Sequence, residues 1–345
     1  MRPSTPPINE SLPGITLERH IQEQQRQSPD ATGELTGLFQ QIALASKIIA
    51  SKVSRAGLAG MLGLTGDMNV QGEFVQKLDE FANDTLVSCV ETGGYVCVMG
   101  SEEVEEPVPV PKEFPTGKYV LLFDPLDGSG NIDINASIGT IFSIYRRKSS
   151  EGPGTLDDLL QPGRDIVGAG YVIYGSSNMV VYSTGHGVHG FTLDPSIGEY
   201  FLSHENIRMP KRGEIYSINE GYQSRWAPGV KGWCEWIKSP SDDGTRPYRL
   251  RYIGAMVADF HRTLLRGGIF AYPSDSKNAS GKLRLLYEAA PMAFLAEAAG
   301  GSASDGAMSI REVMPTCLHQ RTPLYIGSRD DVQDAIEFVS GQRTS

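Results

Sequence analysis

A layered α/β (α+β) fold, with helices and sheets in alternating layers and two subdomains, is what this sequence predicts. Three observations carry the prediction. Apolar runs of strand length and apolar residues at helical spacing alternate irregularly along the chain. Residues 140–203 break into short apolar segments separated by Gly, Asn and Asp-Pro turns, whereas the later pattern is mainly helical. The 345 residues also exceed one small core, since domains run at roughly 150 residues each.

The first segment, Met1–Ile15, is Pro-rich and polar and reads as a flexible tail. Leu35, Leu38, Phe39, Ile42 and Ile49 recur at helical spacing, so a helix is expected to begin after Thr32-Gly33-Glu34. A second helix is expected around Phe74, Leu78, Phe81 and Leu86, and the Gly- and Met-rich segment 56–72 before it reads as a long loop of the kind that forms lids. Tyr95–Met99 reads as a buried strand that ends at Gly100-Ser101-Glu102-Glu103. A Pro-rich connector, 107–115, leads to a second buried strand, Tyr119–Phe123, ending at Asp124-Pro125. Several strands fill 140–203, and Gly213–Asn219 is a further candidate. Helices are then expected over Val257–Leu265, Leu283–Ala299 and Asp330–Val339, with a short strand at Ile269–Tyr272. The Pro210-Lys211-Arg212 stretch marks the boundary, which divides the chain into a tail (1–15) and two units, 16–207 and 208–345.

Composition narrows the function. Hydrophobic residues at 40% and charged residues at 21% fit a globular protein and are too apolar for disorder. The net charge of −10 argues against a nucleic-acid or anionic-membrane partner, because such binding needs a concentrated basic surface. It leaves phosphate substrates open, provided that some carboxylates hold metal ions. Cys89, Cys97, Cys234 and Cys317 form no C-x-x-C pair and have no His cluster beside them. That argues against a zinc site or a disulfide framework and fits a reducing, cytoplasmic compartment. The Pro-rich start has no apolar core of a signal peptide, and no run of about 18 apolar residues predicts a membrane span.

The chemistry concentrates in Phe123-Asp124-Pro125-Leu126-Asp127-Gly128-Ser129-Gly130-Asn131. Alone, D-x-x-D reads as a surface turn with two solvated aspartates. Here it closes a buried apolar strand, at the end where open α/β sheets place ligands, and Asp-Pro followed by Asp-Gly implies a tight turn that aims both carboxylates at one point. Such a set suits Mg²⁺, which takes one or two carboxylates together with substrate phosphate and water. The Gly-Ser-Gly run behind it offers backbone N–H groups for a phosphate. Glu102 and Glu103 also stand at a strand end, and if the two strands are parallel neighbours these carboxylates share one sheet edge with Asp124. Taken alone, the Glu102–Glu106 run is a solvated face. The third cluster is Gly281-Lys282-Leu283-Arg284-Leu285-Leu286-Tyr287-Glu288, in which Arg284 and Glu288 would share a helix face. That pair reads either as a weak surface ion pair or as a metal ligand beside a phosphate-binding base.

With these residues in view, the sequence resembles class I fructose-1,6-bisphosphatase, within the lithium-sensitive sugar and inositol phosphatase superfamily. The resemblance rests on Val98–Glu103, Phe123–Asp133, Ile218–Tyr222, Arg251–Arg262 and Gly281–Met292, in the family's order and over most of the chain. D-P-L-D-G-S is shared with inositol monophosphatases, but 281–288 matches the bisphosphatase signature and the late tryptophan-aspartate motif of the inositol enzymes is not evident. The resemblance implies the sugar-phosphatase fold, with 16–207 regulatory and metal-binding and 208–345 substrate-binding. It implies a Mg²⁺-dependent hydrolysis of the 1-phosphate of fructose 1,6-bisphosphate in gluconeogenesis, with two or more Mg²⁺ per subunit and Mn²⁺ as a substitute. Asp124, Asp127 and Glu288 would hold one ion. Glu102, Asp124 and the Leu126 carbonyl would hold another, with Glu103 near a further site. The 1-phosphate would rest on Gly128, Ser129 and Arg284. Asn219, Tyr222, Tyr252, Tyr272 and Lys282 would take the 6-phosphate, Arg251 would reach it in a neighbouring subunit, and Met256 would line the sugar pocket. Asp79 and Glu103 match the carboxylates that take the proton of the attacking water, and Glu73 stands on the closing loop where an aspartate is expected.

The resemblance also implies regulation. Thr32-Gly33-Glu34-Leu35-Thr36 matches an AMP phosphate-binding loop at a helix start, and Lys118, Tyr119 and Arg146 match further AMP positions. AMP inhibition is expected to act through a homotetramer. Residues 151–165 contain no cysteine, so no thioredoxin switch is expected. Two alternatives stay open: a sedoheptulose-1,7-bisphosphatase or dual-specificity enzyme, and a non-catalytic AMP sensor on the same fold.

Overall fold

The structure is a computed structural model that describes residues 14–26, 33–56, 58, 63–68 and 74–344. Its helices are α1 (Leu17–Gln25), α2 (Glu34–Val53), α3 (Lys77–Glu91), α4 (Leu156–Leu159), α5 (Pro228–Lys238), α6 (Met256–Arg266), α7 (Ala290–Ala298) and α8 (Arg329–Val339). A hairpin of β1 (Leu64–Met68) and β2 (Phe74–Gln76) stands apart from the main sheets. The strands of the first half are β3 (Val96–Ser101), β4 (Val108–Pro109), β5 (Tyr119–Asp127), β6 (Ile138–Arg146), β7 (Ile166–Tyr174), β8 (Asn178–Ser183), β9 (His189–Asp194) and β10 (Glu199–His204). They form one eight-stranded sheet in the order β10-β9-β8-β7-β6-β5-β3-β4. The second half contributes β11 (Ile215–Ser217), β12 (Arg249–Leu250), β13 (Ile269–Tyr272), β14 (Leu283–Arg284), β15 (Ser302–Ser304), β16 (Arg321–Thr322) and β17 (Leu324–Gly327). Five of these make a smaller sheet, β12-β11-β13-β17-β15, while β14 pairs with β16 alone.

The layers alternate, as the sequence leads one to expect. Helices α1, α2 and α3 cover one face of the large sheet, where Leu38, Phe39, Ile42, Ile49, Leu78 and Leu86 meet Phe123, Phe142 and Tyr182. Helices α6 and α7 fill the space between the two sheets, and α5 and α8 close the far face of the small one. α7 is apolar on every side because sheets flank it on both: Ala293, Phe294, Leu295 and Ala296 are all buried.

Several elements differ from expectation. Phe74 lies in β2 rather than in the helix, which begins at Lys77. The expected loop 56–72 contains the strand Leu64–Met68. Helix α1, capped by the Thr16 hydroxyl accepting from the Arg19 N–H at 3.2 Å, was not anticipated. Nor was α5, although Pro228 at its start and Val230, Trp233, Cys234 and Ile237 at helical spacing announce it. The expected helix Leu283–Ala299 begins as the strand β14, continues as one π-helical turn over Leu285–Ala289, and becomes α-helical only at Ala290. The cause lies in Pro291. It has no N–H for the carbonyl four residues back and its ring crowds that carbonyl, so a wide turn upstream relieves the clash. The Ser143 hydroxyl donates to the Leu286 carbonyl at 3.2 Å, which helps satisfy the irregular turn.

Candidate active site

Strands β3 and β5 are parallel neighbours, with Ser101 beside Phe123. The next residues, Glu102 and Asp124, therefore emerge together at one sheet edge, and the Glu102 N–H donates to the Phe123 carbonyl at 3.1 Å. The Asp-Pro-Leu-Asp segment does not leave the sheet as a turn. β5 continues to Asp127 and slips register against β6 between Asp124 and Asp127, a bulge that re-aims the two side chains. The Leu126 N–H donates to Asp124 Oδ1 at 2.9 Å. Asp127 accepts from the Met256 N–H at 3.2 Å and the Val257 N–H at 2.7 Å, at the positive end of α6. Glu288 stands on the π turn and accepts from the Arg284 N–H. Carboxylate oxygens of Asp124, Asp127 and Glu288 all lie within 4.8 Å of one another.

This crowding has an electrostatic consequence. Glu102 is pushed up to about 8 by burial, then by the charge of Glu288. Burial and the charge of Glu102 hold Asp124 well above the usual carboxylate range. Burial lifts Asp127 to about 7 against the pull of the Val257 and Met256 N–H donors. The Arg284 guanidinium, 2.9 Å from Glu102 and 4.0 Å from Glu288, offsets only part of the negative charge. Four buried carboxylates gathered around one guanidinium form an all-oxygen donor set with surplus charge, which fits hard divalent cations.

The carboxylates line one end of a cleft of about 260 Å³. Gly128, Ser129 and Gly130 follow along its wall. Gly128 has φ +82°, and a Cβ there would lie 2.4 Å from the Ala255 Cβ, so only glycine fits. Asp79, in the first turn of α3, and Glu103 reach the same cleft. Farther along stand Asn219, Tyr222, Tyr252, Met256, Tyr272 and Lys282. Burial raises the Tyr252 phenol and pushes that of Tyr272 up to about 12, so both stay protonated as hydrogen-bond donors. Arg251 does not line the cleft: it sits just past the exposed edge strand β12, with Nη1 2.7 Å from the Leu250 carbonyl. Arg284 and Glu288 do not share an ordinary helix face, since Arg284 lies in β14 and the π turn separates them. Glu73 lies outside the described residues.

Sequence reasoning overlooked Gly254, Phe270 and Leu283 on the cleft wall, and the buried Asp259 behind it. Asp259 accepts from the Ile253 and Gly254 N–H groups, each at 3.0 Å, and pairs with Arg262 at 2.9 Å. It thereby holds the loop that carries Tyr252. An acidic residue at the start of an apolar helix, three before an arginine, was the available signal.

The AMP candidates gather elsewhere. Gly33 caps α2 with φ +86°, and Glu34 beside it pairs with Lys118 at 2.9 Å. Arg146 lies over the Tyr119 ring at 5.9 Å. Thr36 donates its hydroxyl to Gln25 Oε1 at 2.6 Å, and Leu35 packs on the core. Thr32 lies outside the described residues. Tyr119 opens β5 and Asp127 closes it, a span of roughly 26 Å at about 3.3 Å per residue.

Comparison with known proteins bears on this arrangement. Residues 15–205 match the fructose-1-6-bisphosphatase N-terminal domain and residues 209–340 the fructose-1-6-bisphosphatase C-terminal domain. The chain is 57% identical over 330 residues to the class 1 fructose-1,6-bisphosphatase of Chlorobium chlorochromatii, covering 95% of this chain and 99% of the relative. It is 54% identical over 339 residues to that of Sorangium cellulosum, covering 98% and 97%. Its fold superposes on the holo form of the Leishmania major fructose-1,6-bisphosphatase with a TM-score of 0.89 and 43% identity, over 94% of this chain and 99% of the other.

Proposed function

The chain belongs to the class 1 fructose-1,6-bisphosphatase family, and from that premise we propose which of its residues carry the reaction and its control. It is a phosphoric monoester hydrolase that acts on fructose 1,6-bisphosphate and depends on a divalent metal. The reaction proposed is hydrolysis of the 1-phosphate to fructose 6-phosphate and phosphate, with Mg²⁺ as the metal. The observation that carries this is the asymmetry of a single cleft: surplus buried carboxylate at one end, and the donors Asn219, Tyr222, Tyr252, Tyr272 and Lys282 at the other. A bisphosphate fits such a cleft end to end.

In this reading Asp124, Asp127 and Glu288 hold one cation, and Glu102, Asp124 and the Leu126 carbonyl hold a second. Bound there, the cations supply Lewis acidity that offsets charge on the phosphoryl oxygens and the leaving alkoxide. The N–H groups of Gly128 and Ser129 and the Arg284 guanidinium orient the 1-phosphate. Asp79 and Glu103 take the proton of the attacking water, and Glu73 belongs to the loop that closes over the cations. The tyrosines, Asn219 and Lys282 anchor the 6-phosphate, and Met256 packs on the sugar. Arg251 is exposed and lines no part of its own cleft, which supports a contribution across a subunit contact in a homotetramer. The cluster of Gly33, Glu34, Lys118, Tyr119 and Arg146, together with Thr32, Leu35 and Thr36, is proposed to bind AMP as an inhibitor. No described helix is long and apolar enough to cross a membrane, and a cytoplasmic role in gluconeogenesis is proposed.

The test is phosphate release from fructose 1,6-bisphosphate with Mg²⁺, with and without EDTA, beside sedoheptulose 1,7-bisphosphate and inositol 1-phosphate. EDTA-sensitive turnover fastest on the fructose ester supports the reading. Faster turnover of the seven-carbon ester would reassign the substrate, and no effect of AMP in the same assay would remove the regulatory proposal.

A further inference from the structure

Two chain segments carry cleft carboxylates from distant parts of the sequence: the loop after β3, with Glu102 and Glu103, and the π turn, with Glu288. A third segment, residues 313–320, lines no part of the cleft, yet His319 on it touches both. Its Nδ1 lies 2.5 Å from the Tyr287 hydroxyl, next in sequence to Glu288. Its Nε2 lies 3.2 Å from the Glu105 carbonyl, two residues beyond Glu103. We propose that His319 is a positioning residue for the divalent-cation site, pinning the two carboxylate-bearing segments at a fixed separation; this rests on the reading that Glu102, Asp124, Asp127 and Glu288 hold the cations.

The hydrogen-bond inventory assigns the imidazole one state. A backbone carbonyl only accepts, so Nε2 carries the proton, and in the neutral ring Nδ1 accepts from the Tyr287 hydroxyl. The neutral ring satisfies both partners at once. Tyr287 is fully buried, so its hydroxyl depends on this acceptor. The segment that carries His319 is itself anchored. The Gln320 carbonyl accepts from the Leu285 N–H at 2.7 Å, and β16 pairs Arg321 with Arg284. The bridge therefore runs from a fixed strap, through one rigid ring, to two segments whose carboxylates repel each other. The Arg284–Glu102 ion pair, from the residue just before the π turn, is another tie to the loop after β3. Partners that lie behind metal ligands set ligand geometry, and with it the affinity for the ion.

Cation binding to the substrate-free protein, measured by titration calorimetry with Mn²⁺, tests this without reference to turnover. His319→Phe and Tyr287→Phe are each expected to weaken binding by roughly 10- to 100-fold, the usual cost of losing an outer-shell partner. The double variant is expected to be no weaker than the worse single one, because both break one bridge. In phosphate release, the Mg²⁺ concentration for half activity should rise by a similar factor while the sugar-bisphosphate KM moves less than about twofold. Tyr287→Phe keeps the imidazole and its bond to the Glu105 carbonyl and removes only the hydroxyl that Nδ1 accepts from, so it decides the question if His319→Phe fails to fold. Wild-type affinity in Tyr287→Phe, or additive losses in the double variant, overturns the inference. An Asp127→Asn control separates the two readings. If it binds Mn²⁺ as the wild type does, the metal assignment fails and this inference with it; if it loses binding while the His319 and Tyr287 variants do not, only the inference fails.

Discussion

Asp127 serves two structural purposes with one carboxylate. It accepts the first N–H groups of α6 and stands within 4.8 Å of Asp124 and Glu288. Asp127→Asn keeps an acceptor for the helix but loses the charge. We expect it to fold, with a melting temperature within roughly 5 °C of wild type, and to lose more turnover than the about 100-fold that a missing outer-shell partner costs. Circular dichroism melts and phosphate release measure the two; retained activity would remove Asp127 from the cation site. The same carboxylates set the pH response of the metal-free protein. Glu102 is raised to about 8 and Asp127 to about 7, whereas unfolded carboxyls titrate near 4. The folded state thus binds more protons over that window, and stability falls as pH rises. This contribution is complete below about pH 4 and is lost as pH climbs through about 7 and 8. With EDTA present, the melting temperature should be lower at about pH 8.5 than at about pH 5.5, and Mg²⁺ should restore it at the higher pH. A metal-free melting temperature unchanged across that range would count against the shared repulsion.

The elements that hold the site are irregular ones. The bulge at Asp124–Asp127, the glycine turn at Gly128 and the π turn at Leu285–Ala289 each depart from regular geometry where a cleft residue must be aimed inward. Asp259 does the same for the loop before α6. Replacing it by Asn leaves Arg262 without its buried charge partner and the loop N–H groups with a poorer acceptor. Asp259→Asn should destabilise the protein by about 1–3 kcal/mol and raise the KM for the sugar bisphosphate through Tyr252, with a smaller change in kcat. Steady-state kinetics beside a denaturant titration separates the two effects, and an unchanged KM would confine Asp259 to a purely structural role.

At the scale of the molecule, the middle three of the five alternating layers share one apolar core across the sheet–helix–sheet boundary, while α1–α3 and α5 with α8 pack over separate outer ones. Tyr171 and Val181 of the large sheet, Phe260 and Leu264 of α6, Leu295 of α7 and Ile326 of the small sheet belong to one buried cluster. The two sheets therefore do not have separate interiors, although the chain reads as two units along its length. Calorimetry is expected to show a single cooperative transition for the chain, with its calorimetric and van't Hoff enthalpies equal per cooperative unit. Leu286→Ala, at the junction of the core and the π turn, should lower that transition by about 2–5 kcal/mol without splitting it. Two resolved transitions would show that the halves melt independently.

The sequence by itself determined the elements whose signal is local. Tyr119–Phe123 and Tyr95–Met99 are apolar runs too short for helices, and the Asp and Glu residues that follow them stand at strand ends whatever the fold. The helical spacing of Leu35 to Ile49 likewise requires only one face of one helix. Family resemblance, carried by motifs such as Asp124–Ser129 and Gly281–Glu288, supplied the roles that spacing alone left open. Tertiary structure decided what depends on neighbours distant in the chain. The parallel pairing that sets Glu102 beside Asp124, the α6 N–H groups that hold Asp127, and the meeting of His319 with Glu105 across 214 positions leave no periodic trace, because each is a contact between segments that are locally ordinary. The same holds for α7, whose fully apolar surface is stable only once sheets cover both sides, and for the π turn, where the local preference for a regular helix yields to Pro291 and to Ser143 on another strand.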